Sequence, residues 1–189
     1  VLDFANKHGF NHIFAQVRGR GDAYYNSEIV PKSHLVANDF DPLDYIIKSN
    51  INEKIKVHAW INVYYLWSST KLPTQSDHII LNNPEWLDRQ KNDNYIKNKI
   101  NLRNQNRFTI DGEGFYLAPT HPAVNRYLIS VVDELSNNYN LDGIHYDYIR
   151  FTIRVMAIMN LDYRSLIEPT LISLIKMKKL YFQSSKETQ

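Results

Sequence analysis

The chain has 189 residues, 43% hydrophobic and 22% charged, enough apolar material for one sizeable core and too much for a disordered segment. Its formal net charge of +2 comes from interspersed Lys, Arg, Asp and Glu, so electrostatics gives no footprint for nucleic acid. The absence of cysteine removes disulfides, thiolate metal sites and thiol nucleophiles, and no apolar run reaches the ~18 residues of a membrane span.

In chain order, Asp3 to His8 has the pattern of a final helical turn, with Gly9 as its stop. Asn11 to Arg18 follows as a strand: Ile13, Ala15 and Val17 share an apolar face, while Phe14, Gln16 and Arg18 share the other. The loop Gly19-Arg20-Gly21-Asp22-Ala23 turns sharply on its glycines. Asp41 caps a helix whose first turn takes Pro42 and whose buried stripe is Leu43, Ile46 and Ile47. Ile55 to Asn62 is a second alternating strand, with Val57, Ala59 and Ile61 opposed to His58, Trp60 and Asn62.

Tyr64 to Asn106 is rich in Asn, Lys and Asp and is expected to be a long insertion, a binding loop or solvated surface, with one helical stretch over Pro84 to Lys99. Phe108 to Ile110 and Phe115 to Leu117, around a turn at Asp111 to Gly114, predict a hairpin or a short strand. Pro119-Thr120-His121-Pro122 then starts a helix running to about Asn138, with Val124, Leu128, Ile129, Val131, Val132 and Leu135 on its apolar face. It feeds the strand Asp142-Gly143-Ile144-His145-Tyr146-Asp147, in which His145 and Asp147 share one face and Ile144, Tyr146 and Tyr148 the other. This order of elements predicts an α/β fold with parallel strands. The Lys176 to Lys179 cluster has the pattern of a solvated helix end, and the tail 152–189 carries no motif.

In such a sheet the carboxyl ends of the strands gather at one rim, where α/β folds keep their sites. The expectation is therefore that Gln16 and Arg18, then His58, Trp60 and Asn62, then His145 and Asp147 surround one cavity. Carboxylates transfer protons, aromatic faces stack on sugar rings, and amides and Arg bind hydroxyls, so the set suits a carbohydrate. Structural duties compete for each residue: a strand-end His or Trp serves packing, Arg18 an ion pair, and Asp142 a turn or cap. A zinc site on His58, His145 and Asp147 is the chemical rival, but the spacing does not support it, so no metal is assigned. No Gly-rich phosphate loop or Gly-x-Ser-x-Gly elbow occurs, and no cofactor is assigned.

The blocks Gln16-Val17-Arg18 with Gly21-Asp22-Ala23, Tyr25 and Ser27, Val57 to Asn62, Leu117 to Pro122, and Asp142 to Arg150 resemble, in order, the glycosyl hydrolase-like family ten. That family comprises bacterial (β/α)₈ barrels linked to cleavage of polysaccharide or cell-wall glycan. The resemblance implies an incomplete TIM (β/α)₈-type barrel of about four parallel strands over residues 1–151, with 152–189 as a tail of unknown structure. It also implies a glycoside hydrolase with a polysaccharide substrate, Asp147 and His145 as catalytic residues, and Arg18, Asp22, His58, Trp60, Asn62 and Arg150 as substrate-binding residues.

A full barrel of this type takes ~200 to 250 residues, so the resemblance makes the chain a fragment whose first strand lies before Val1 and whose later strands follow Phe151. An amino-terminal export signal would then be missing with that first strand, which leaves the compartment open. Thr152 stands where the family has Pro. Glycoside hydrolysis normally uses two carboxylates ~5 to 9.5 Å apart, and the partner of Asp147 is expected in Asp22 or in a missing strand. The chain as it stands is accordingly expected to turn over little glycan, and a non-catalytic glycan-binding or inactive remnant is the alternative.

Overall fold

The computed structural model describes residues 1–50, 55–88 and 113–150. The expected helix beyond Asp88, the strand Phe108 to Ile110, the turn at Asp111 and Gly112, and the whole tail from Phe151, the Lys176 to Lys179 cluster included, lie outside the described residues. Helix α1 (Leu2–Lys7) ends before Gly9, whose φ of +73° is the left-handed conformation that glycine adopts without penalty. Strand β1 (His12–Arg18) leads through a long loop to α2 (Pro42–Ser49). Asp41 caps that helix as expected, its Oδ1 accepting from the amides of Leu43 and Asp44, both at 3.0 Å.

Strand β2 (Lys56–Asn62) is followed by the short β3 (Tyr65–Trp67), the single-turn α3 (Ile79–Asn82) and a 3₁₀ turn at Pro84–Trp86. Strand β4 (Phe115–Tyr116), α4 (Pro122–Asn138) and β5 (Gly143–Asp147) complete the described elements. The strands β1, β2 and β5 form a parallel sheet in that order. The architecture is the expected α/β arc of an incomplete barrel. Among the described residues the parallel sheet has three strands, while Phe115–Tyr116 pairs antiparallel with Tyr65–Trp67 in a separate ribbon.

One face of the parallel sheet is covered. Val57, Ala59 and Ile61 of β2 are buried in a single cluster with Leu43 of α2 and Val124, Leu128, Val131, Val132 and Leu135 of α4. These are the apolar positions that alternate along the strand and recur at helical spacing in α4, so burial follows from the two periodicities. Ile144, Tyr146 and Tyr148 pack against the same cluster. The opposite face, carrying His12, Phe14, Gln16, His58, Trp60 and His145, stays exposed or half-buried.

Asp142 has a structural duty at the entry to β5. Its Oδ2 accepts from the Val57 amide at 2.9 Å and its Oδ1 pairs with Lys56 at 2.9 Å, which sets the register of β5 against β2.

Candidate active site

The register fixes the open face in rows. Phe14, His58 and Gly143 lie side by side, then Gln16, Trp60 and His145, and at the carboxyl end Asn62 lies beside Asp147. The strands thus bring together His58, Trp60, Asn62, His145 and Asp147, as the matched alternation predicts.

Arg18 does not join them. The register shifts between Gln16 and Arg18, so that Gln16 faces Trp60 but Arg18 faces Ile61. This bulge inserts one residue and turns every later side chain to the other face. Arg18 is completely buried, and its Nη1 donates to the carbonyl oxygens of Asn62 and Val63. The expectation that Arg18 shares the face of Gln16 is therefore corrected: its guanidinium holds the backbone where β2 ends.

Asp22 likewise does not reach the open face. It is 1% exposed, with Oδ1 accepting from the Arg20 amide at 3.2 Å. The loop around it is locked from below by His78, which is fully buried. His78 Nδ1 accepts from the Ile80 amide at 3.2 Å, which leaves Nε2 as the protonated nitrogen donating to the Arg20 carbonyl at 2.9 Å. Gly21, at φ +75°, lies so close beneath this lock that a Cβ there would meet Leu66 Cδ1 at 2.5 Å.

On the open face, imidazoles and aromatic rings pack on one another. The His58 ring stacks on Phe14 at 4.8 Å and on His12 at 5.0 Å between centroids, and His145 meets Phe14 and Trp60 edge-on at 5.4 and 5.9 Å. His12 Nδ1 lies 2.8 Å from His58 Nε2, so one imidazole donates and the other accepts. Gly143 leaves room for this ring, since a Cβ there would sit 2.5 Å from His58 Nδ1. Burial, and then the neighbouring His12, hold the His58 imidazole below its ordinary value and favour the neutral ring. The Trp60 indole nitrogen is buried without a hydrogen-bond partner among the described residues.

At the rim, Asn62 Nδ2 donates to the Gly19 carbonyl at 2.8 Å, and its Oδ1 accepts from Gln16 Nε2 at 3.5 Å. Asn62 thereby ties the first loop to the end of β2. Asp147 is half-buried, and its Oδ1 accepts from the Tyr148 amide at 2.7 Å. Arg150 lies beyond it, exposed, paired with Glu113 Oε2 at 2.7 Å and set over the rings of Tyr148 and Tyr116. Glu113 also accepts from the Tyr116 hydroxyl, and this bond, then the Arg150 bond, hold its carboxyl below the usual range.

Among the described residues no group of three His, Cys, Asp or Glu side chains could hold a metal ion, and His58 spends Nε2 on His12. No helix among them is long and apolar enough to cross a membrane. Sequence alternation missed His12 as a partner of His58, although its parity with Phe14 and Gln16 carried that signal. It also missed Glu113 and Tyr65, which nothing in the local pattern links to β5.

Among solved structures, a hypothetical protein from Ruminiclostridium thermocellum is similar at a TM-score of 0.60 and 17% identity, covering 91% of this chain and 80% of that one. An alpha-L-fucosidase isoenzyme 2 from Paenibacillus thiaminolyticus is similar at 0.59 and 19%, covering 95% of this chain and 25% of that one. At these identities the likeness concerns the fold. In sequence, Glycosyl hydrolase DigH of Escherichia coli (strain K12) is 30% identical over 157 residues, 80% of this chain and 33% of that protein. Glycosyl hydrolase YngK of Bacillus subtilis (strain 168) is 24% identical over 155 residues, 78% of this chain and 26% of that protein. The chain therefore spans about a third or less of the length of these relatives. Residues 1–160 match the family Glycosyl hydrolase-like 10, to which this chain belongs.

Proposed function

We propose that the chain carries part of the active site of a glycoside hydrolase acting on a polysaccharide, with bacterial cell-wall glycan as the substrate. Asp147 is the catalytic carboxylate and His145 its neighbour in proton transfer. His58 and Trp60 contact sugar along the open face, with Asn62 at the strand end holding the first loop beside them and Arg150 at the rim. Arg18 and Asp22 shape the loop behind them. The observation that carries this reading is the row at the strand ends: a carboxylate beside an amide, one step above an indole and an imidazole. The family membership and the names of the two relatives support it.

A second reading is favoured by length. Because the chain spans 33% of one relative and 26% of the other, the second carboxylate that hydrolysis requires need not lie within it. The 189-residue chain would then bind glycan with little turnover. Both readings are tested by measuring reducing-end release from bacterial cell-wall glycan by this chain and by the E. coli relative. The relative should turn the glycan over and lose about 10²–10⁴-fold on replacing its residue aligned with Asp147 by Asn. An undiminished rate in that variant would sink the assignment of Asp147. Robust turnover by this chain, abolished by Asp147→Asn, would reject the second reading.

A further inference from the structure

The Arg18 guanidinium is sealed in the interior at 0% exposure, a costly place for a charge unless its hydrogen bonds do what an apolar side chain could not. The bulge before it brings Arg18 level with Ile61, one residue short of the end of β2. From there its Nη1 donates to two successive carbonyls, those of Asn62 and Val63, the second at 3.3 Å.

Each of these carbonyls belongs to a planar peptide group whose other polar atom is the amide of the next residue. The group that begins at the Asn62 carbonyl ends at the Val63 amide, which donates to the Asp147 carbonyl at 2.8 Å. The group that begins at the Val63 carbonyl ends at the Tyr64 amide, which donates to the Tyr148 carbonyl at 3.3 Å. Two neighbouring peptide planes thus have their oxygen ends on Arg18 and their nitrogen ends on residues 147 and 148. A plane held at both ends cannot rotate without loosening one of its bonds. The positive charge on the oxygen side also polarises the amide and strengthens the bond it donates. The Tyr148 ring, stacked on Tyr65 at 4.6 Å, keeps the receiving segment against the same stretch of chain.

We infer that Arg18 is a positioning residue: through the two peptide groups where β2 ends, it fixes the main chain that carries Asp147 at the rim. This rests on the reading of Asp147 as the catalytic carboxylate. The ladder between β2 and β5 sets the register lower in the sheet, whereas Arg18 acts on the last rung, beyond Asn62. An arginine that served only to stabilise the fold would support every rung alike.

The test is amide hydrogen exchange by NMR on the ¹⁵N,¹³C-labelled 189-residue chain. In Arg18→Met, protection of the Val63 and Tyr64 amides should fall about tenfold or more relative to those of Ala59 and Ile61 earlier in β2, and Arg18→Lys, which keeps the charge, should recover part of it. An equal fall at all four amides, no fall at Val63 and Tyr64, or a Lys variant no better than the Met variant would overturn the inference. If Arg18→Met does not fold, the wild-type chain decides. Scalar couplings across hydrogen bonds should then link Arg18 Nη1 to the Asn62 and Val63 carbonyl carbons, and the Val63 nitrogen to the Asp147 carbonyl carbon; absence of either link would overturn it. Neither readout depends on turnover, so an active Asp147→Asn enzyme would refute the functional reading and leave the tie between Arg18 and β5 standing.

Discussion

At His78 the chain buries an imidazole completely and uses both of its nitrogens, one to cap α3 and the other to hold the Arg20 carbonyl. Burial pushes this imidazole down from 6.5 to about 4, against the opposing pull of the Arg20 carbonyl. Since the folded-state value lies below the unfolded one, the unfolded chain takes up the proton first. The stabilisation is fully present above pH 6.5 and is lost as the pH falls towards 4. At 1.36 kcal/mol per pH unit the loss is on the order of 3 kcal/mol. Urea unfolding at neutral pH and in mild acid should show it, and His78→Gln should flatten that part of the pH dependence. An identical acid sensitivity in His78→Gln would reject the assignment. None of this was legible in the sequence, where His78 sits in a polar insertion with no periodicity. Asp22 deceived for a related reason: its loop position suggested reach, but the lock beneath the loop folds it inward. Arg18 was misplaced by a bulge at a Gln-Val-Arg segment that contains no glycine to announce it.

At the scale of elements, the long loop after β1 behaves as a part of the helix layer because α4 clamps it. Glu134 accepts from the Ser27 hydroxyl at 2.5 Å, the Tyr25 hydroxyl at 3.2 Å and the Glu28 amide at 2.7 Å. Ser27 in turn accepts from the amides of Ile29 and Val30. One turn further on, the Tyr139 hydroxyl donates to Asp41 Oδ2 at 2.6 Å, and the Asn26 amide reaches the same oxygen at 2.9 Å. Burial pushes the Asp41 carboxyl up, but these bonds and those from the first turn of α2 outweigh it and hold it below the usual range. Glu134→Ala leaves several donors without their charged acceptor and should cost about 2–3 kcal/mol, whereas Tyr139→Phe should cost about 1–2 kcal/mol. Denaturant midpoints check both, and a Glu134→Ala midpoint equal to wild type would show that the clamp does not hold the loop. The three parallel strands, α2 and α4 were legible because each has one buried face and so a strict period. The clamp was not, because it joins residues more than 100 positions apart whose types are ordinary for a solvated surface.

At the scale of the molecule, the sheet has one face sealed by α2 and α4 and one that is open. Phe14, in the middle of β1, is 53% exposed there, and Phe4 and Phe10, stacked on each other at 6.3 Å, are exposed at 60% and 57% near the start of the same strand. Strand β1 has β2 on one side and, among the described residues, no strand on the other. Among those residues the outer edge of β1 has no ladder partner from His12 to Gln16, and it runs alongside these apolar rings. The half of this arrangement that faces the helices could be read from alternation alone. The other half was expected from the sequence to surround one cavity, since a barrel interior and an open face carry the same residue types. Edge pairing and apolar contact act together, so the 189-residue chain should self-associate as its concentration rises. Phe14→Lys should weaken association strongly, because it places a charge on the open face beside the free edge, while Phe40→Lys, in the long loop before α2, should leave it unchanged. Sedimentation velocity over a concentration series decides the matter. A wild-type chain that remains monomeric throughout, or an equal response to the two substitutions, would show that the open face of β1 does not drive association.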